Sequence, residues 1–299
     1  MAARSLIVGA SGLVGRRLLR ALGPDRAVGT YHRHAMPGAV AFDMASQTLE
    51  DALRAAGERF SHLVILGALP NIDACARDPA GTARVNVAAA CRLADEAAAR
   101  SLFPIFASSD AIYDGGRSPW RETDETLPII VYGRQKLEVE THLKRAGYPS
   151  LTLRIAKVLD PELDPAGVLG PWLADLRAGK PIRCATDQFF TPIGLDDLVM
   201  AVVGLAESGA SGTFNVGGDA TSRMVLLETA VAAAREFGEI WPKIEPCRLN
   251  DLPFAERRPL DLRMATEKLR AAIGFSPEPF AALCRRAAKN CFAPPAGQG

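Results

Sequence analysis

Leu6-Ile7-Val8-Gly9-Ala10-Ser11-Gly12-Leu13-Val14-Gly15 is the stretch on which the fold turns. Leu6-Ile7-Val8 is a short, wholly apolar run suited to a strand buried on both faces. A glycine-rich turn follows, and Arg16 to Leu22 then carries helical periodicity. Glycine permits a tight turn at Gly9, lets the backbone approach a pyrophosphate near Gly12, and at Gly15 lets helix and strand pack closely. The free amides at the helix start, through Ser11, Leu13 and Val14, face whatever negative charge lies there. A glycine triplet alone also fits a purely structural turn. The strand before it and the helix after it supply the context of a dinucleotide site.

Further strands follow at the spacing of an α/β chain. Ala27 to Tyr31 is the second, and the residues after it bear on the choice of dinucleotide. An acid there accepts hydrogen bonds from the ribose hydroxyls, whereas a base attracts a 2′-phosphate. The sequence reads His32-Arg33-His34, so NADP(H) is preferred over NAD(H), with Arg33 as first phosphate candidate and His32 as second; a solvated basic loop is the other reading. Val40 to Phe42 is a third strand, with Asp43 and Met44 just past it where an adenine edge is met. Gln47 to Gly57 reads as a helix, and His62 to Leu66 as a fourth strand. After that strand, the small Gly67-Ala68-Leu69 lets a cofactor lie across the strand ends. A long alanine-rich helix from Asp78 to about Arg100 is interrupted by the polar Asn86, which is either a cofactor contact or a local hydrogen-bonder. Phe103 to Ala107 is the fifth strand, and it leads into Ser108-Ser109-Asp110. Ligands of open parallel sheets sit outside the carboxyl ends of the strands, where Ser109 falls.

A helix opens at Val131 and runs to about Arg145. Residues four apart share a helix face, so the Tyr132 phenol and the Lys136 ammonium can meet in one pocket. At ~4 Å and an effective dielectric of about 20 the cation favours the phenolate by about 4 kcal/mol before desolvation opposes it. By spacing alone the pair equally suits an ordinary helix in which Tyr packs and Lys is solvated. Its position after the Ser109 strand end makes it a candidate for proton transfer.

Composition narrows the classes. With 299 residues, 48% apolar and 23% charged, the chain has the makeup of a globular protein with a large core. A formal net charge of +1 gives no reason to expect nucleic acid or an anionic membrane as partner. No apolar run is long enough to span a bilayer. The start passes directly into a strand without a signal peptide, so a cytoplasmic location is expected. Cys75, Cys91, Cys184, Cys247, Cys284 and Cys291 form no Cys-x-x-Cys pair, which favours reduced thiols over disulfides or zinc. His32 and His34 lack companions, and no metal site is expected.

Taken together, Gly9-x-x-Gly12-x-x-Gly15, Ser109 after the fifth strand and Tyr132-x-x-x-Lys136 resemble the extended short-chain dehydrogenase/reductase family. Within it the chain is most similar to the dTDP-4-dehydrorhamnose reductases. That similarity rests on Asp73 to Pro79 with Val85-Asn86, Ser108 to Gly115, Glu122-Thr123-Asp124, Asp187-Gln188, Thr191-Pro192 and Arg258-Pro259. The resemblance implies an NADPH-dependent reductase of a keto group on a nucleotide-activated sugar. In it Tyr132 is the general acid, Lys136 holds the nicotinamide ribose and tunes Tyr132, and Ser109 hydrogen-bonds the substrate oxygen. It places Asp110 and Tyr113 near the sugar, and it implies a homodimer at family level. The chain departs from those reductases in two places. Lys157 stands where a tryptophan is usual, so a carboxylate or phosphate could sit against it, and Arg16-Arg17 stands where a glutamate of metal-linked dimers is often found. NAD-dependent sugar-nucleotide epimerases or dehydratases share the scaffold, as does the non-catalytic beta subunit of methionine adenosyltransferase.

Leu151 to Ile155 is a sixth strand, after which the rhythm breaks at Asp160-Pro161-Glu162-Leu163-Asp164-Pro165. Val168 to Ala178 and Leu195 to Glu207 read as helices, Thr213 to Val216 as a strand and Thr221 to Phe237 as a further helix. Two short helices follow before a frayed end at Ala293 to Gly297. Phe189 and Phe190 suit either a pocket for a flat base or sugar, or the core. The expected architecture is α/β, a doubly wound parallel sheet (Rossmann) with a smaller C-terminal substrate-binding lobe. Residues 1–156 form the NADP-binding domain and 157–299 mainly the lobe, with part of 186–219 returning to the sheet.

Overall fold

The computed structural model describes residues 4–57, 59–165 and 167–293, so most of the expected frayed end lies outside the described residues. In the first half, β1 (Ser5–Val8), α1 (Leu13–Leu22), β2 (Ala27–Tyr31), β3 (Ala39–Ala41), α2 (Leu49–Ala56) and β4 (His62–Ile65) alternate. Then come α3 (Ile72–Arg77), α4 (Pro79–Ala83), a π-helical turn over Arg84–Ala89, α5 (Ala90–Ala99), β5 (Phe103–Ser109), α6 (Val131–Ala146) and β6 (Leu151–Ile155).

β1 is central because β2 and β4 both pair with it in parallel register. Its side chains alternate between the two faces. Ile7 packs with Leu18 and Leu19 of α1, whereas Leu6 and Val8 pack with Leu49, Ala52 and Leu93 of α2 and α5. Two covered faces are what the uninterrupted apolar run requires.

Beyond β6 come β7 (Val158–Leu159), α7 (Leu169–Arg177), β8 (Ile182–Ala185), β9 (Phe189–Phe190), β10 (Ile193–Gly194), α8 (Leu195–Glu207) and β11 (Gly212–Val216). The last elements are β12 (Thr221–Ser222), α9 (Arg223–Arg235), β13 (Ile244–Cys247), β14 (Asp261–Leu262), α10 (Glu267–Ile273) and α11 (Phe280–Phe292). The main sheet has seven strands in the order β11-β6-β5-β4-β1-β2-β3, and every pair in it is parallel.

A second core lies in the lobe, where Trp172 and Leu173 of α7, Leu226 and Ala230 of α9, and Cys284 and Ala287 of α11 pack together with Cys184 of β8. The chain returns to the main sheet through α8, packed on α1, and β11, paired with β6. It returns again through α10, which packs against α8 and β11. Arg17 of α1 ties the two parts, donating to Glu162 at 2.9 Å and pairing with Asp196. All six cysteines are free thiols.

Candidate active site

The glycine turn is built from close backbone contacts. Gly9 has φ +86°, and a Cβ there would stand 2.6 Å from the Gly67 nitrogen. A Cβ on Gly15 would stand 2.5 Å from the Gly9 carbonyl oxygen, so α1 seats directly on the turn. Gly12 is exposed and precedes the first residue of α1, with only the Gly9 oxygen within ordinary contact of its missing side chain. The helix begins at Leu13, three residues earlier than its sequence periodicity suggests, so the Leu13 and Val14 amides belong to the open first turn.

His32 and Arg33 lie exposed in the bend after β2. Asp43 accepts from the Ala45 amide at 2.9 Å and from Ser46 Oγ at 2.8 Å, and these bonds hold its carboxyl below the usual range. Met44 is buried with its sulfur against the Cα side of Gly67, where a Cβ would come within 2.6 Å of it. Gly67 and Ala68 are half-buried and Leu69 is 43% exposed, so the segment presents an apolar rim.

Asn86 needs correcting as a cofactor contact. Its side chain is buried and fully engaged by protein: it accepts from the Leu69 amide at 2.7 Å, and donates to the Leu69 carbonyl at 3.1 Å and Gln135 Oε1 at 2.8 Å. It acts through the backbone of the Leu69 segment. The helix containing it adopts the wider π turn at that point.

Ser109 is the last residue of β5, and its Oγ accepts from the Ala111 amide at 3.2 Å and donates to Asp110 Oδ1 at 3.0 Å. A short 3₁₀ turn over Asp110–Ile112 follows. The first turn of α6 lies against it so closely that a Cβ on Gly133 would stand 2.0 Å from the Ala111 oxygen. Gly133 thus seats Tyr132 beside the Ser109–Asp110 turn. Sequence reasoning passed over this glycine, though its place next to the tyrosine was the available signal.

Lys136 is buried one turn further on. Its Nζ donates to the Ala107 carbonyl at 2.7 Å, 4.7 Å from the Phe106 ring centroid and 5.6 Å from that of Tyr132. Burial pulls this ammonium down to about 8, against the opposing charge of Glu140. At Tyr132 desolvation outweighs the phenolate-favouring effect of a nearby cation. Burial, with the neighbouring Asp110 charge, pushes the half-buried phenol above its ordinary value and keeps it protonated. Burial likewise pushes Asp110 up to about 6, while Lys157 pulls the other way.

Behind this group lies a buried ionic network that the sequence did not reveal. Arg154 of β6 donates Nη2 to Glu140 Oε2 at 2.8 Å and Nη1 to the Tyr113 hydroxyl at 2.8 Å. Ser108 Oγ donates to the other Glu140 oxygen. Tyr113 is therefore corrected as a sugar contact. It is fully buried, stacks on Trp120 with ring centroids 4.7 Å apart, and donates to the Arg121 carbonyl.

Lys157 stands two residues past Ile155, the register partner of Ser109, and is exposed. Desolvation lowers its ammonium, opposed by Asp110. Phe189 is half-buried under the Arg263 guanidinium, 5.0 Å from its ring centroid, while Phe190 belongs to the lobe core. Among the described residues no cluster of three metal-ligating side chains forms, and no helix is long and apolar enough to cross a membrane.

A seven-strand parallel sheet, a glycine turn at its centre and a Ser, Tyr and Lys set at the end of β5 define an extended short-chain dehydrogenase/reductase-like protein. The chain belongs to the RmlD substrate binding domain family, whose model matches residues 3–292. It is 29% identical to the probable low-salt glycan biosynthesis reductase Agl14 of Haloferax volcanii, over 77% of this chain and 84% of that one. It is 27% identical to a dTDP-4-dehydrorhamnose reductase of Sinorhizobium fredii, over 91% and 92%. The bovine methionine adenosyltransferase 2 subunit beta is 34% identical over 51% of this chain, and the match spans 46% of that protein. The solved dTDP-4-dehydrorhamnose reductase of Bacillus anthracis, in complex with NADP, superposes with a TM-score of 0.82 at 18% identity, over 96% of this chain and 98% of that one.

Proposed function

We propose that the chain is an NADPH-dependent reductase of a keto group on a nucleotide-activated sugar. One feature supports this above all: Gly133 lets α6 press its first turn against the turn after Ser109, so hydroxyl, phenol and ammonium share one end of the sheet. A dinucleotide fits the residues present, because Gly12 leaves its backbone open and Gly9, Gly15 and Gly67 clear the surrounding space. In this reading Gly9 to Gly15, Asp43, Met44 and Gly67 to Leu69 would hold the cofactor, with Lys136 at its ribose. The exposed Arg33 and His32, with no acid in the sequence between β2 and Asp43, favour NADP(H) over NAD(H).

When bound, the nicotinamide supplies hydride to the carbonyl carbon. Tyr132, kept neutral by burial, gives its proton to the oxygen as charge develops there. Ser109 Oγ turns its proton from Asp110 to the same oxygen and orients it. Lys136 sets a positive charge behind the phenol as it loses its proton. The reading carries two further expectations, a cytoplasmic location and, at family level, a homodimer, which cell fractionation and sedimentation velocity measure.

The test follows NADPH and NADH oxidation against a panel of nucleotide-linked keto sugars. Wild type consumes NADPH, and Tyr132→Phe loses about 10²–10⁴-fold in turnover while still binding NADPH. Unchanged turnover in that variant refutes the assignment. Oxidation with NADH alone overturns the role given to Arg33, isomerisation without net cofactor use indicates an epimerase, and stoichiometric capture of a protein with no oxidation indicates a regulatory subunit.

A further inference from the structure

The space beyond Ser109 holds more positive charge than its neighbours neutralise. The Lys157 ammonium makes no hydrogen bond or ion pair among the described residues, although Asp110, Arg223 and Arg258 all lie within electrostatic reach. Its main chain is fixed, since the Lys157 carbonyl accepts from the Ile193 amide at 3.0 Å. Arg258 is only 8% exposed and pairs one nitrogen with Asp73, and its buried Nη1 has no partner. Arg223 lies over Trp172 at 5.1 Å, donates Nη1 to Gln188 Oε1 at 3.3 Å and meets the Cys184 thiol; its buried Nε is also unpartnered.

The acidic groups facing this space do not balance it. Asp73 is taken by Arg258 and by the Ala255 amide at 3.1 Å. Glu256 lies near Arg258, but it accepts from the Val131 amide at 3.1 Å and 3.2 Å and pairs with Arg134. Asp110, already accepting from Ser109, is the one carboxylate set against Lys157, whose ammonium also feels Arg223 and Arg258. A buried guanidinium nitrogen without a partner is costly and calls for an acceptor from outside the chain.

Position distinguishes the Lys157 ammonium from the two arginines. It extends from the end of the strand paired with Ser109, two residues past the register partner of that serine. The serine holds the carbonyl oxygen in the reading above, so Lys157 meets a substituent close to the reacting carbon. The diphosphate, attached at the anomeric carbon, is carried elsewhere on the ring.

Resting on the nucleotide-sugar reading, we propose that the sugar itself bears a carboxylate near its reacting carbonyl, and that Lys157 binds this group with Arg258 and Arg223 adding to the positive field. The natural substrate class is then a nucleotide-linked keto-uronate, and Lys157 is the residue that selects it over a neutral hexose.

Calorimetric titration of the full chain loaded with NADP⁺ tests this, using UDP, UDP-glucose and UDP-glucuronate, and the dTDP counterparts, as probes. In the better-accepted nucleotide series the glucuronate conjugate should bind at least about tenfold tighter than the glucose conjugate, the gain of one charge-assisted hydrogen bond. Lys157→Met should abolish that preference while leaving affinity for the free nucleotide within about twofold, and Lys157→Arg should keep it. Equal or weaker binding of the glucuronate conjugate overturns the proposal. So does a Lys157→Met variant that loses free nucleotide, glucose and glucuronate conjugates alike, because the ammonium would then serve the diphosphate. If no probe of either nucleotide binds while NADP⁺ does, the nucleotide-sugar reading itself falls, and this proposal with it.

Discussion

Replacing Arg154 with methionine isolates the energetics of the ionic network beneath the site. The Arg154 and Glu140 side chains are each 7% exposed, and four further groups depend on them: the Tyr113 hydroxyl, the Glu122 carbonyl, Ser108 Oγ and, through charge, Lys136. Methionine fills much of the arginine volume but leaves the Glu140 carboxylate buried opposite no cation. Breaking a buried pair from one side costs about 3–5 kcal/mol, most of it the stranded charge. For a chain of this size that corresponds to a fall of roughly 5–8 °C in Tm. The pair as a whole is far less valuable, because its attraction is offset by the desolvation of both ions. The double variant Arg154→Met with Glu140→Leu should therefore return to within about 1–2 kcal/mol of wild type. Urea unfolding followed by tryptophan fluorescence, on both single variants and the double, closes the cycle. If Arg154→Met costs under about 1 kcal/mol, or if the two single losses simply add in the double variant, the buried-charge argument is wrong.

Two other outcomes follow from the site. Burial lifts the Asp110 carboxyl to about 6, so between its usual value near 4 and that point the folded chain binds more protons than the unfolded one, and stability falls as pH rises through this window. Asp110→Asn should accordingly raise Tm at pH 7 and lose that advantage by about pH 4; a Tm difference independent of pH would contradict the shift. Gly133→Ala puts a methyl 2.0 Å from the Ala111 oxygen and 2.9 Å from Pro128 Cβ, which forces the first turn of α6 off its seat. Turnover should drop on the order of 10²-fold with dinucleotide affinity retained, and a variant of near-normal turnover would show that the close docking does not position Tyr132.

Much of the fold was legible because the strands of the main sheet are buried on both faces and so appear as short apolar runs. β2, β6 and α8 carry the limits that their sequences suggest. The lobe was harder to read. β8 and β13 pair with one another through Ile182 to Ala185 and Ile244 to Cys247, segments carrying Arg183, Glu245 and Pro246, whose mixed polarity hides the pairing. The return of α10 to the sheet was hidden as well, because only tertiary packing against α8 and β11 distinguishes it from the other short helices of the tail.

At the site, the glycines and the Tyr132–Lys136 spacing were visible because each is a local pattern. What escaped is non-local. Glu140 and Arg154 look like ordinary surface charges until helix and strand are brought together, and Tyr113 looks like a ligand contact until Arg154 and Trp120 close over it. The net direction of the Tyr132 shift was not legible for a related reason. Spacing reports that a cation is near, whereas desolvation depends on everything else packed around the ring.

Asn86 gives the molecule a single joint with two dependants. Through the Leu69 main chain it fixes the rim at the end of β4, and through Gln135, which itself donates to the Pro79 carbonyl and Thr82 Oγ1, it grips the residue just before Lys136. The apolar rim and α6 are therefore linked through one amide side chain. A change at that amide would be felt on both at once, although the amide itself is walled off from any ligand.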